Sequence, residues 1–173
     1  NIEAMCADLT NNGLFPNQAN PTFRAEGITQ LPVGSYCTLK VSKIIQEALP
    51  EAFPALKSNN EWWISNRDPN RFHLLSYGSE MKEKCAAALR QSAMYESGMD
   101  NHAMFDGVPV DYDSGNLAFY TVGLNSIYAL DCECLSRLAK MNGENLLAKK
   151  LRIRYSNMKK VINSHLWDGE IYR

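Results

Sequence analysis

Between Glu96 and Asp113 the chain carries five carboxylates, Glu96, Asp100, Asp106, Asp111 and Asp113. Tyr95, Asn101, His102, Phe105 and Tyr112 are interleaved with them. That mixture suits a sugar: aromatic faces stack on the apolar face of a pyranose, while amides and carboxylates bond its hydroxyls. A glycosidase needs two such carboxyl groups, one as acid and one as base or nucleophile. From residue types alone, a solvated acidic loop is the first reading of this stretch and a sugar site the second.

Other groupings offer less. Trp62 and Trp63 are adjacent, so on a helix they cannot share a face; one is expected in the core and the other could face a site or a partner, with core or interface filling the first reading. Asp68-x-Asn70 has the alternate-oxygen start of a calcium loop, but Phe72 stands where the third ligand belongs and no Gly precedes it. No Gly-x-Ser-x-Gly and no glycine-rich phosphate loop is present. His73, His102 and His165 have no metal or triad spacing, and His102 is read as a hydrogen-bonding member of the acidic loop rather than a base. Five cysteines, an odd number, argue against a complete disulfide framework. Cys132-x-Cys134 falls in a helical pattern, where residues two apart point to different faces, so both are read as small buried hydrophobes rather than a metal clip. No cofactor or metal is expected.

The elements that must position these residues read as helical. Tyr36, Leu39, Ile44 and Ala48 fall near helical spacing from about Ser35 to Leu49, and Pro50 marks the end. Pro54 opens a further helix through Trp62 and Trp63. Ser79 is a candidate cap for the next, with Glu80 and Glu83 at its positive end and its last turn near Tyr95. From Leu117 to Met141, Val122, Leu124, Ile127, Tyr128, Leu135, Leu138 and Met141 form an apolar stripe that Asn142-Gly143 closes. From Glu144 to Leu166, Leu147, Leu151, Tyr155, Met158, Val161, Ile162 and Leu166 form another. Together these two make an αα-hairpin. Residues 10–35 and 66–79 read as loops, and no period-2 strand stands out. The expected fold is all-α: helical hairpins with apolar surface on both sides, as in a toroid or solenoid, with long loops gathered at one end.

With 173 residues, 45% hydrophobic and 21% charged, the chain has the makings of one globular domain. Its net charge of −1 implies no electrostatic attraction to nucleic acid or anionic membrane, and no apolar run approaches the roughly 18 residues of a membrane helix.

Several segments, taken in order, resemble a known group. Glu61-Trp62-Trp63-x-x-Asn66-Arg67-Asp68, Tyr77-Gly78, Glu96-Ser97-Gly98-Met99-Asp100-Asn101 and Phe105-Asp106 are similar to the catalytic domain of family 63 glycoside hydrolases and their relatives, among them processing α-glucosidase and mannosylglycerate hydrolase. Val122-Gly123-Leu124-Asn125-Ser126, Leu166-Trp167-Asp168 and Gln30-x-Pro32 extend the likeness over nearly the whole chain. The resemblance implies that residues 1–173 are part of a single glycoside hydrolase catalytic domain, about half of an (α/α)6 barrel. It implies hydrolysis of an α-glycosidic bond with inversion and makes Asp100 the general acid. Burial among Tyr95, Met99 and Phe105 would raise that acid's pKa. The general base is a Glu outside this chain, expected about 6.5–9.5 Å from the acid. Trp62, Trp63, Arg67, Asp68, Glu96, Asn101, Phe105 and Asp106 become candidate contacts to an oligosaccharide or small glycoside, with Gln30 and Asn125 behind them. The remainder of the barrel, further residues or a second chain, is the implied partner; the resemblance favours a periplasmic or secreted setting, while the five cysteines without a disulfide framework lean the other way. The sequence departs from the group after Asp68, where Arg71-Phe72-His73 replaces a glycine-containing acidic stretch. The rival reading is a non-catalytic carbohydrate-binding or structural helical domain.

Overall fold

The computed structural model describes residues 2–25, 27–46, 49–80 and 85–172. Among them, six α-helices run in chain order: α1 (Ile2–Ala7), α2 (Gly34–Ile45), α3 (Phe53–Asn66), α4 (Ala86–Ser97), α5 (Val122–Met141) and α6 (Asn145–His165). The expected hairpin is α5–α6. Asn142 and Gly143 turn the chain between them, Gly143 at φ 80°, the left-handed region that glycine enters without strain. α3 contains the Trp pair, as expected from Pro54. α2 stops at Ile45 rather than near Leu49, because Gln46 turns left-handed at φ 58°; Ala48 lies outside the described residues.

The fold is mostly helical but not purely so. β3 (Ser76–Gly78), β4 (Val110–Asp111) and β5 (Asn116–Tyr120) form an antiparallel sheet in the order β3-β5-β4, and β1 (Ala19–Asn20) pairs with β2 (Phe23–Arg24). The sheet takes residues expected in helix and loop. Leu117–Tyr120 lie in β5, and α5 starts only after Thr121, whose side chain accepts a hydrogen bond from the Leu124 N–H. Ser79 is not the cap of α4. It follows β3 and donates its N–H to Gly115 O, while α4 begins at Ala86 behind an extended Cys85. Glu83 lies outside the described residues. No helix is long and apolar enough to cross a membrane among the described residues.

Two apolar clusters fill the interior. One holds Trp62, Trp63, Leu75, Tyr77, Phe105, Leu124, Tyr128 and Met158 beneath the sheet and the acidic loop. The other holds Phe15, Leu39, Phe53, Leu56, Leu135, Leu138 and Leu151, where α2, α3 and the hairpin meet. Both Cys132 and Cys134 are buried and free, as small hydrophobes would be.

A carboxylate is buried at the joint between α2, α3 and α5. Asp131 Oδ1 accepts the Ser35 N–H at 3.2 Å, and Oδ2 accepts Asn60 Nδ2 at 2.7 Å. The first bond satisfies a donor in the opening turn of α2, which Val33 cannot cap. Burial pushes the Asp131 carboxyl up from 3.8 to about 6, against the pull of its Ser35 and Asn60 hydrogen bonds. The folded state therefore binds this proton more tightly than the unfolded state. The stability linked to it is complete below about pH 4 and is lost as pH rises through 6, a change of about 3 kcal/mol. The expected result is that the unfolding free energy of the native protein minus that of Asp131→Asn falls by about this amount between pH 4 and pH 7. A pH-independent difference in urea titrations would contradict it.

Candidate active site

The last turn of α3 delivers Arg67, and the last turn of α4 delivers Glu96. Their side chains meet in the interior, Arg67 1% and Glu96 0% exposed. Arg67 Nε donates to Glu96 Oε1 and Nη2 to Oε2, both at 2.8 Å, the bidentate fork that guanidinium and carboxylate favour. Glu96 accepts two backbone donors as well, Gly78 N–H at 3.1 Å and Thr29 N–H at 3.2 Å. Trp62 closes the other side, its ring 4.6 Å from the Arg67 guanidinium carbon, and its Nε1 donates to Glu80 Oε1 at 3.1 Å.

Above this buried pair the chain turns outward. Gly98 adopts φ 71° and ends α4, donating its N–H to Tyr95 O. Ser97 Oγ donates to Met94 O at 2.6 Å and accepts the Met99 N–H at 3.0 Å, which fixes the first residues beyond the helix. Asp100 follows at once and is exposed, as are Asn101 and Asp106. His102 Nδ1 accepts the Met104 N–H and opens a short 3-10 turn, Ala103–Phe105, the loop-internal role read for it. Phe105 is fully buried and packs edge-on against Tyr77 and Phe119, so the loop is anchored from beneath. Arg90 donates to Val108 O through Nε and Nη2 and ties the far end of the loop back to α4. Asp111 is a turn residue: its carboxylate accepts Ser114 Oγ and the Asp113 N–H, and these bonds hold its pKa below the usual value.

The structure sorts the expected site residues into groups. Asp100, Asn101 and Asp106 project from one exposed loop. Arg67, Glu96 and Trp62 come together beneath it as a buried assembly rather than an open subsite. Gln30 is exposed and donates to Asn17 O, while Asn17 Nδ2 donates to Tyr95 O at 3.1 Å, so this segment also sits against the end of α4. Trp63 lies wholly in the core, and so does its neighbour Trp62, so both fill the interior, the first of the readings of the pair. Asn125 is fully buried: it receives the Leu75 N–H and donates to Leu75 O and Thr121 O, pinning the entry to β3 onto α5. Asp68 is not free for calcium. Its two oxygens accept the Phe72 and His73 N–H groups at 3.0 and 2.9 Å. That bracket holds the departing loop, with Arg71 and His73 both at positive φ, 56° and 59°. Among the described residues no three His, Cys, Asp or Glu side chains gather as a metal site. Asp100 is exposed rather than enclosed by Tyr95, Met99 and Phe105, because the left-handed turn at Gly98 carries the chain away from the core in which Phe105 is buried.

The roles of some residues of the assembly carried no sequence signal, although Gly78 and Ser97 fall inside the segments of the resemblance. Thr29, Gly78 and Ser97 contribute through the backbone or a single hydroxyl, and nothing in their type marks them. Asp131 had a signal: it falls on the apolar stripe of α5 between Tyr128 and Leu135, where a charged residue must be buried.

No curated protein matches the chain. The family model of the mannosylglycerate hydrolase MGH1-like glycoside hydrolase domain matches residues 3–172, in agreement with the resemblance carried by the Trp62–Asp68 and Glu96–Asn101 segments. The chain, which that model spans almost from end to end, therefore belongs to the mannosylglycerate hydrolase MGH1-like glycoside hydrolase domains.

Proposed function

We propose that this domain hydrolyses an α-glycosidic bond with inversion, that Asp100 is the general acid, and that residues 1–173 form about half of an (α/α)6 barrel. The observation that carries the reading is the Asp100 carboxylate: exposed, in a loop anchored at both ends, three residues beyond the last residue of the helix that Glu96 holds. Asn101 and Asp106 on the same loop are the sugar contacts that remain open, with Gln30 on the neighbouring segment. Glu96 cannot be the second carboxylate, because four donors already occupy its oxygens. The base is the Glu outside this chain that the family resemblance implies, about 6.5–9.5 Å from Asp100, with the water between them. Apolar side chains exposed on α2 and α6, among them Val41, Ile44, Ile45, Leu146 and Ile153, support the half-barrel reading, since a further layer of hairpins would cover them.

The stereochemical test uses the protein carrying the complete catalytic domain and an α-glycoside, with the product anomer followed by proton NMR before mutarotation. The β-anomer is expected first. If the α-anomer appears first, inversion is wrong. If the glycoside binds and is never cleaved, the domain is a carbohydrate-binding module instead.

A further inference from the structure

Glu96 and Asp100 are four residues apart, and everything that holds Glu96 acts on the short span between them. Three separate segments converge on that one carboxylate: the end of α3 through Arg67, β3 through the Gly78 N–H, and the loop before α2 through the Thr29 N–H. Stability alone does not call for such an arrangement. A buried ion pair offsets its own desolvation only with good geometry, and apolar residues of the same volume commonly serve a fold as well. What a saturated, bidentate carboxylate supplies and an apolar contact does not is direction, because each of its four hydrogen bonds fixes an angle as well as a distance. Ser97 passes that constraint on. It is buried, its hydroxyl is hydrogen-bonded to Met94 O, and the same oxygen receives the Met99 N–H. From Arg67 to Met99 the chain of contacts is continuous and lies out of water up to Ser97, and the next residue is Asp100.

We propose that Arg67, Glu96 and Ser97 are positioning residues: a buried three-segment clamp that sets where the Asp100 carboxyl stands relative to the scissile oxygen. The inference rests on the reading of Asp100 as general acid. It reassigns Arg67 and Glu96, expected as substrate contacts, to a role exercised through the backbone of the 97–100 turn.

A general acid matters most when the leaving group is a poor one. The test therefore compares methyl and 2,4-dinitrophenyl α-glycosides of the sugar that the native protein turns over fastest, in the protein carrying the complete catalytic domain. Native protein, Asp100→Asn, Glu96→Gln and Ser97→Ala are assayed in parallel. Glu96→Gln leaves Arg67 without its anion and risks the fold, so thermal unfolding is recorded alongside. Ser97→Ala removes one hydroxyl and decides the matter if Glu96→Gln does not fold. The expected result is that Glu96→Gln and Ser97→Ala lower kcat on the methyl glycoside by about 10- to 100-fold, the scale of a misplacement of order 1 Å. KM should be unchanged and the dinitrophenyl glycoside much less affected, the pattern that Asp100→Asn also gives. If Asp100→Asn discriminates between the two substrates while the folded clamp variants slow both equally, or neither, the clamp is merely structural and the proposal is overturned. If Asp100→Asn itself does not discriminate, the acid assignment fails and the clamp proposal falls with it.

Discussion

Asparagine in place of Asp100 is expected to lower kcat on an unactivated α-glycoside by about 10²- to 10⁴-fold, the contribution of a positioned general acid. KM and the unfolding midpoint should stay close to native. The substitution keeps the shape of the side chain and removes only its capacity to give up a proton. The fold has no stake in it, since Asp100 is exposed and its carboxylate makes no side-chain hydrogen bond among the described residues. Asp111 differs, because its oxygens hold the turn through Ser114 and Asp113 and its replacement disturbs the loop itself. Steady-state rates and urea titrations of the native protein and Asp100→Asn check both statements. Native turnover in the variant would remove Asp100 from the mechanism.

The parts of the fold legible in the sequence were those with long repeats. α5 and α6 show their apolar faces over five or more turns, and Asn142-Gly143 marks the break between them. The sheet had no such length to show. β3 is three residues, all buried, and β4 is two, so neither can display an alternation of inside and outside. Leu117–Tyr120 read as the start of the same helix because the apolar run is continuous across Thr121, where the hydroxyl cap resets the chain direction. At the site, the position of Asp100 was legible through the segment around it. The role of its neighbours was not. Arg67 and Glu96 are 29 residues apart, and residue type alone reads an arginine and a glutamate as sugar contacts. Only the fold, which brings the end of α3 to the end of α4 and to β3, puts them out of water and against each other. Asn125 was drawn to the site by the same segment likeness, yet its amide serves the backbone of Leu75.

The burial of the Arg67–Glu96 pair gives Arg67→Ala an expected loss of about 3–5 kcal/mol. The alanine leaves the Glu96 carboxylate enclosed, with two donors, the Thr29 and Gly78 N–H groups, in place of four and no counter-charge. Trp62 also loses the cation from its face. Surface pairs such as Arg24–Asp8, both well exposed, offer the internal comparison, since breaking one costs about 1 kcal/mol or less and responds to salt. Urea titrations of Arg67→Ala and Arg24→Ala separate the cases. A deficit for Arg67→Ala no larger than that for Arg24→Ala would mean that the pair is wet, and a wet pair fixes no angle at Glu96 and cannot set the turn that carries Asp100.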